Sequence, residues 1–169
     1  MVETARLTII PLNHRQLELY MQAEGELEKE LRLTITGRLV VPEIKERVID
    51  LILPKVKSTI TDEYLFYTFW IVVEKPSKTI VAELGFKGVP DKNGEIEIGY
   101  GTMPEQRKKG YMTEAVAGMI NWAKQRADVK YILAETDENN LASIKVLQKN
   151  NFQLFDKRER MKWWKISVK

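Results

Sequence analysis

Apolar positions change their period along this chain, and each change marks an element. Leu7-Thr8-Ile9-Ile10 reads as a short strand stopped by Pro11. Asn13 can cap a helix running to about Glu24, with Leu17 and Met21 four apart on its buried face. Pro42 suits the first turn of a second helix, which carries Ile44, Val48, Leu51 and Ile52. The period then becomes that of strands. Residues 66–74 are β-rich, Lys75-Pro76-Ser77-Lys78 turns them into a strand over 79–87, and Asp91-Lys92-Asn93-Gly94 makes the next turn. A strand over 95–103 follows, closed by Pro104, which has no N–H to give to a ladder. Met112, Val116, Met119, Ile120 and Ala123 then share one face of a helix over 111–126. A short buried strand at 131–134, a helix at 140–150 and strands at 152–155 and 161–168 complete the pattern. It amounts to an α+β (mixed α/β) fold of about seven strands and about four helices. No linker, repeat or break in composition divides it, so residues 1–169 read as a single domain.

Composition narrows the chemistry. An apolar share of 44% and a charged share of 30% are those of an ordinary soluble domain. The absence of cysteine excludes disulfides, thiolate metal sites and a covalent acetyl-cysteine intermediate. The one histidine, His14, cannot build a metal cluster and its neighbours suggest a helix surface, so no metal is expected. Glu3 and Arg6 interrupt any apolar leader, and the apolar run over 66–73 falls far short of the roughly 20 residues of a membrane span. A cytoplasmic protein with no membrane contact is expected. A net charge of +3 and a pI near 9.0 fit either a nucleic-acid binder or a pocket for a polyanionic cofactor. No aromatic residues interleave a basic strand face, which counts against nucleic acid. Basic residues cluster at 107–109 and at 157–162, where Lys157-Arg158-Glu159-Arg160 reads as a solvated hairpin rim.

The most specific stretch is Arg107-Lys108-Lys109-Gly110-Tyr111-Met112-Thr113-Glu114-Ala115. It follows a strand and opens a helix, so free backbone N–H groups stand at the positive end of a helix dipole, where a phosphate is well held. Gly110 lets the backbone approach a ligand closely, at a helix start that tolerates other residues sterically, and Lys108 and Lys109 add charge. A solvated basic helix start accounts for the turn alone equally well. Its single glycine matches neither a Walker loop nor a dinucleotide fingerprint, which counts against nucleotide hydrolysis and hydride transfer.

The turn resembles the Gln/Arg-x-x-Gly-x-Gly/Ala signature of the GNAT superfamily of acetyl-CoA-dependent N-acetyltransferases. Arg107, Gly110 and Met112 fall on its defined positions, Met112 where the general pattern has a small residue. The string 110–115 is most similar to the branch containing the RimJ/RimL ribosomal-protein acetyltransferases. Residues 140–152 resemble the family's Asn-x-x-Ser helix that ends in Lys-x-Gly-Phe. Asn151 replaces the glycine and is the next best residue at a left-handed helix end. Asn140 alone reads as a helix N-cap. Two motifs in this order with a strand between them are harder to explain that way. Thr4-Ala5-Arg6-Leu7 also resembles the family's first strand, Thr-x-Arg-Leu. The resemblance covers nearly the whole chain and is weakest over 25–65, where such enzymes build the acceptor pocket.

The resemblance implies a GNAT-like domain with a central mixed, mostly antiparallel, splayed sheet. Acetyl-CoA (or CoA) would be the cosubstrate, and the acceptor a primary amine on a small molecule or a protein N-terminus, attacking directly in a ternary complex. The protein would be a monomer or homodimer. Strands 95–103 and 131–135 would splay to take the pantetheine. Backbone groups of Thr102 and Met103, left unpaired there, would bond the pantetheine and the thioester carbonyl. The pyrophosphate would rest on the amides of Lys108, Lys109, Gly110, Tyr111, Met112 and Thr113, beside Arg107. Asn140 would bond the pantetheine amide. Leu147 stands where many relatives have an acidic tyrosine, and the RimJ/RimL-like branch implies Ser143 as the partner of the leaving thiolate. With a pKa near about 8.5 that thiolate hardly requires an acid. Lys145 and Lys149 share a stripe that either reaches the 3′-phosphate or is a solvated face. For the base, strand parity offers Glu97 first, opposite Ile96 and Ile98, with Glu83 on the preceding strand or an ordered water second; a solvent-facing strand residue is the plain alternative for each carboxylate. The competing classes are a CoA-binding regulatory module without turnover and a basic nucleic-acid-binding domain.

Overall fold

Eight strands join in one open sheet: β1 (Val2–Glu3), β2 (Leu7–Pro11), β3 (Phe69–Glu74), β4 (Thr79–Phe86), β5 (Glu95–Thr102), β6 (Tyr131–Asp137), β7 (Gln153–Arg158) and β8 (Met161–Ser167), in the order β1-β2-β3-β4-β5-β6-β8-β7. The computed structural model describes residues 1–22 and 25–169. Its helices are α1 (His14–Met21), α2 (Glu26–Leu31), α3 (Pro42–Arg47), α4 (Leu53–Ser58), α5 (Tyr111–Lys124) and α6 (Leu141–Lys149). Asn13 caps α1 in a reciprocal box with Gln16. The helix end expected near Glu24 lies outside the described residues. None of the described helices is long and apolar enough to cross a membrane.

Every strand pair is antiparallel except β5 with β6, and that pair is brief. Glu95, Ile96 and Glu97 match Tyr131, Ile132 and Leu133; beyond them the strands part. β5 runs on along β4 as far as Thr102, while β6 runs on along β8 as far as Asp137. A wedge-shaped gap therefore opens in mid-sheet from residue 98 onward.

Alternating side chains give the sheet two apolar faces. On one, Trp70, Val72, Leu84, Phe86, Ile96 and Ile98 meet α5 and α6. Trp122 of α5 lies against Phe66, Trp70 and Phe86 with ring centroids 5.4–5.5 Å apart. Each such aromatic pair adds roughly 0.5–1.5 kcal/mol beyond its buried area. A Cβ on Gly118 would come within 2.9 Å of Thr4, so this glycine lets α5 sit close to the N-terminal strands. On the other face, Leu12, Ile71, Val73 and Ile80 meet Leu17, Tyr20, Leu27, Val48, Ile52 and Val56 from α1, α2 and the helix over 42–58.

That helix is continuous but holds a π turn, Val48–Ile52, between α3 and α4. Pro54 lacks an N–H and would press its ring on the carbonyl four residues back; the widened turn removes the conflict. Pro42 occupies its first turn, as expected. Residues 66–68 fall outside the strand predicted at 66–74: Asp62–Phe66 is a 3-10 turn, and Thr68 donates its hydroxyl to the Leu12 carbonyl. Two short elements escaped the sequence pattern. β1 has two residues, and α2 has six between left-handed Gly25 and Arg32, too few in each case to show a period.

Candidate active site

Gly110 begins the site. It has φ +80° and precedes the first turn of α5, so the chain enters the helix through a left-handed residue. Lys108 is left-handed too (φ +63°). Among the described residues, none accepts a hydrogen bond from the amides of residues 108–113, and Arg107 to Gly110 are exposed. The turn is braced from behind. Arg6 donates to the Lys109 carbonyl (3.1 Å) and pairs with Glu114 (2.7 Å), and the Thr4 hydroxyl donates to the same carboxylate (2.6 Å). Arg6 also lies over the Tyr111 ring, whose hydroxyl donates to Glu74. Tyr111 and Met112 are buried, so only their backbones face outward. A Cβ on Gly110 would meet the Arg6 guanidinium at 3.5 Å, an ordinary contact. The tolerance expected there holds for space and fails for backbone, because φ +80° strains any residue with a side chain.

Across the gap, Asn140 caps α6, its side chain accepting from the Ser143 amide (3.1 Å). At the other end Asn151 has φ +62°, and the Phe152 amide donates to the Leu147 carbonyl (3.1 Å), so the left-handed helix end survives without glycine. Asn150 ties α6 to the first turn of α5, donating to the carbonyls of Thr113 (3.1 Å) and Val146 (2.9 Å). Lys145 and Lys149 are exposed on α6.

Between these walls stands Tyr100, which continues the alternation of Ile96 and Ile98 along β5. Its hydroxyl shares a hydrogen with the Ser143 hydroxyl (2.8 Å) and donates to the Ser143 carbonyl (3.3 Å), bridging β5 and α6. Burial pushes this phenol up to about 12, against the lowering effect of the Ser143 bond. It is a proton-holding group at neutral pH. The signal for it was parity: a polar aromatic ends the apolar series Ile96, Ile98 where the strand leaves its partner.

Met103 requires a correction. Its N–H, expected to be free in the gap, donates to the Val81 carbonyl (3.1 Å), and its own carbonyl accepts from Gln106 (2.9 Å). Backbone groups alternate in direction along an antiparallel strand, so with Met103 turned to β4 those of Thr102 and Tyr100 turn into the gap.

On the opposite face a cavity of about 280 Å³ lies between the helix over 42–58 and β4–β5. Ile44, Leu51, Ile52 and Phe69 make it apolar, with Arg47, Lys55, Tyr67, Glu83 and Lys87 supplying polar groups. Gly99 and Gly101 form its floor; a Cβ on either would meet nothing within 4 Å. Glu83 sits opposite Gly101 on β4 and accepts from the Tyr20 hydroxyl (2.6 Å). Burial raises its pKa, opposed by the Tyr20 bond and by Arg38. Tyr20 in turn is pushed far above the usual phenol range by burial and by Glu83. Arg38 stacks on the Tyr20 ring (4.4 Å) and pairs with Glu28 (3.2 Å), both side chains almost wholly buried.

Glu97 is not brought into this cavity. Its carboxylate is ion-paired with Lys87, which also reaches Glu135 (3.8 Å). The structure thus gathers the 107–113 turn, Thr102, Asn140 and Ser143 around the gap, and sets Glu83 in the cavity behind it. The two spaces meet at residues 99–101 of β5.

Comparison with known proteins agrees in architecture. The family profile described as "Acetyltransferase (GNAT) domain" matches residues 6–153. The chain is 45% identical over 95 residues to the "Uncharacterized N-acetyltransferase YjdG" of Bacillus subtilis, covering 56% of each. It spans about half the length of the curated relatives it matches. The ribosomal-protein-S5-alanine acetyltransferase of Vibrio fischeri superposes with a TM-score of 0.68 at 16% identity, covering 98% of this chain and 95% of that one. RimL, a ribosomal L7/L12 alpha-N-protein acetyltransferase solved in complex with coenzyme A, gives 0.66 at 13%, covering 97% and 95%. At those identities the likeness is one of fold.

Proposed function

The chain belongs to the GNAT acetyltransferase family, and on that premise we propose that it moves an acetyl group from acetyl-CoA to a primary amine by direct attack in a ternary complex. The observation that carries this reading is the meeting of two spaces at residues 99–101: a mid-sheet gap ending in unpaired amides and exposed cations, and a part-apolar cavity with a buried carboxylate. The gap fits a thin chain ending in phosphates. The amides of residues 108–113 and the charges of Arg107, Lys108 and Lys109 would hold the pyrophosphate, and Thr102, Asn140 and Ser143 the pantetheine. Acetyl-CoA would supply the activated acyl group.

The chain's own residues divide the proton work. Glu83, raised by burial, takes the proton the amine loses as its nitrogen bonds to the acyl carbon. We assign this role to Glu83 rather than Glu97, whose carboxylate is paired with Lys87 and does not itself line the cavity. As the carbon–sulfur bond breaks, the Tyr100–Ser143 pair offers a hydrogen bond to the departing sulfur. A backbone N–H of β5 aimed into the gap can stabilise the developing oxyanion by roughly 2.7–4 kcal/mol.

Calorimetry with CoA and a thiol-release assay over a panel of amines test the reading. Micromolar-range CoA binding with amine-dependent release supports it. Binding without release on any amine would make the protein a catalytically weak CoA-binding module, and absence of binding would end the reading altogether.

A further inference from the structure

The charges around the acceptor cavity are lopsided. Arg47 and Lys55 of the helix over 42–58 line it together with Leu51, on one stripe spaced four and four apart. Among the described residues no carboxylate lies within ion-pair reach of either; Lys55 has the Tyr67 ring instead, at 5.1 Å. Their neighbours differ. Lys57, two residues on, is paired with Glu18 (3.1 Å), and Lys87 of the same cavity is paired with Glu97 and Glu135. Among the described residues Glu83 is the cavity's only carboxylate, and it is already bonded by Tyr20. The cavity therefore offers two uncompensated cations at one wall, apolar walls between, and one carboxylate poised to receive a proton.

Resting on the acetyltransferase reading, we propose that the acceptor is a small amine that also carries an anionic group, a carboxylate or phosphate, which Arg47 and Lys55 bind while Glu83 faces the amine. The size agrees: about 280 Å³ is just under the usual range for small-molecule sites and suits a small metabolite. The charges agree as well. A polycationic amine would set its further ammonium groups against Arg47 and Lys55, whereas an anion gives both a partner and forms a charge-assisted bond with the guanidinium. An apolar side chain on the same molecule would cover Leu51, Ile52 and Phe69.

Matched acceptors test this. Amino acids are compared with their carboxamides, and phosphoethanolamine with ethanolamine, by kcat/KM of acetyl-CoA-dependent thiol release and by calorimetric binding in the presence of CoA. The preferred anionic member should exceed its neutral counterpart by about 10-fold or more, the scale of one charge-assisted hydrogen bond. In the double variant Arg47→Gln, Lys55→Gln the advantage should collapse while CoA affinity is retained. Equal use of the neutral members, or an advantage that survives the double variant, overturns the proposal. So does a preference for peptides over every small acceptor, which would turn the cavity into a seat for chain N-termini. Failure of acetyl transfer is separately visible: no acceptor gives thiol release, yet the binding arm still reports whether the anion is recognised.

Discussion

The two faces of the central sheet carry different kinds of candidate site. On the face covered by α5 and α6 the functional groups are mostly backbone: unpaired amides from residue 108 to 113, a capped helix start at Asn140, and a gap made by strands that stop pairing. On the face covered by α1, α2 and the helix over 42–58 they are side chains: Glu83 held by Tyr20, with Arg47 and Lys55 across an apolar cavity. Backbone sites need particular turns, and turns need particular residues, so they leave motifs in a sequence. Side-chain sites assembled from distant elements leave almost none. The first face would bind what the whole family shares, and the second what this member selects.

The largest effect should come from separating the two. Glu83→Gln keeps the shape and an acceptor atom for Tyr20 but removes the base, so kcat should fall by about 100-fold or more with CoA affinity nearly unchanged. Steady-state kinetics beside CoA calorimetry would check it. Gly110→Val should do the reverse, weakening CoA by about 10-fold or more while acceptor KM changes little. Because φ there is +80°, it should also cost the fold roughly 1–3 kcal/mol, visible as a lower melting temperature. CoA affinity equal to the parent's would remove the turn from the site.

Smaller changes sharpen the picture. Tyr100→Phe breaks the bridge to Ser143 and should slow turnover about 5-fold, more for acceptors whose chemical step is limiting. Tyr20→Phe removes a bond that lowers the Glu83 pKa, so that pKa should rise further. Since the base works deprotonated, the acidic limb of the kcat/KM profile should move to higher pH; a limb that stays put or moves down would detach Tyr20 from Glu83. Glu97→Gln should change activity least, by less than about 3-fold, because its carboxylate pairs with Lys87 and does not itself line the cavity. A loss as deep as that of Glu83→Gln would return the base to β5.

The same division explains what could be read beforehand. Alternation and helical period located seven of the strands and the helices over 42–58, α5 and α6, because those elements are long enough to repeat. The turn at Gly110 and the helix end at Asn151 were legible for a second reason: both need a left-handed residue, and few residue types supply one. Parity put Glu97 ahead of Glu83 as the base, and it could not register what bears on that order, the arrival of Tyr20, Lys87 and Gly101 from other elements. Tyr100 was hidden by its own strand, whose pattern marks it as core while its hydroxyl reaches Ser143. The pairing of Met103 with Val81 likewise depends on where β5 leaves one neighbour and keeps the other.

The central claim is that a buried carboxylate on the second face deprotonates an amine bound against a thioester held by the first. The pH dependence of thiol release by Glu83→Gln, relative to the parent at saturating acetyl-CoA, tests it most directly. The account predicts a deficit that is deepest near neutral pH and shrinks steadily as pH rises, because more of the amine then arrives already deprotonated. A deficit constant across the whole range, or no deficit at all, would contradict it.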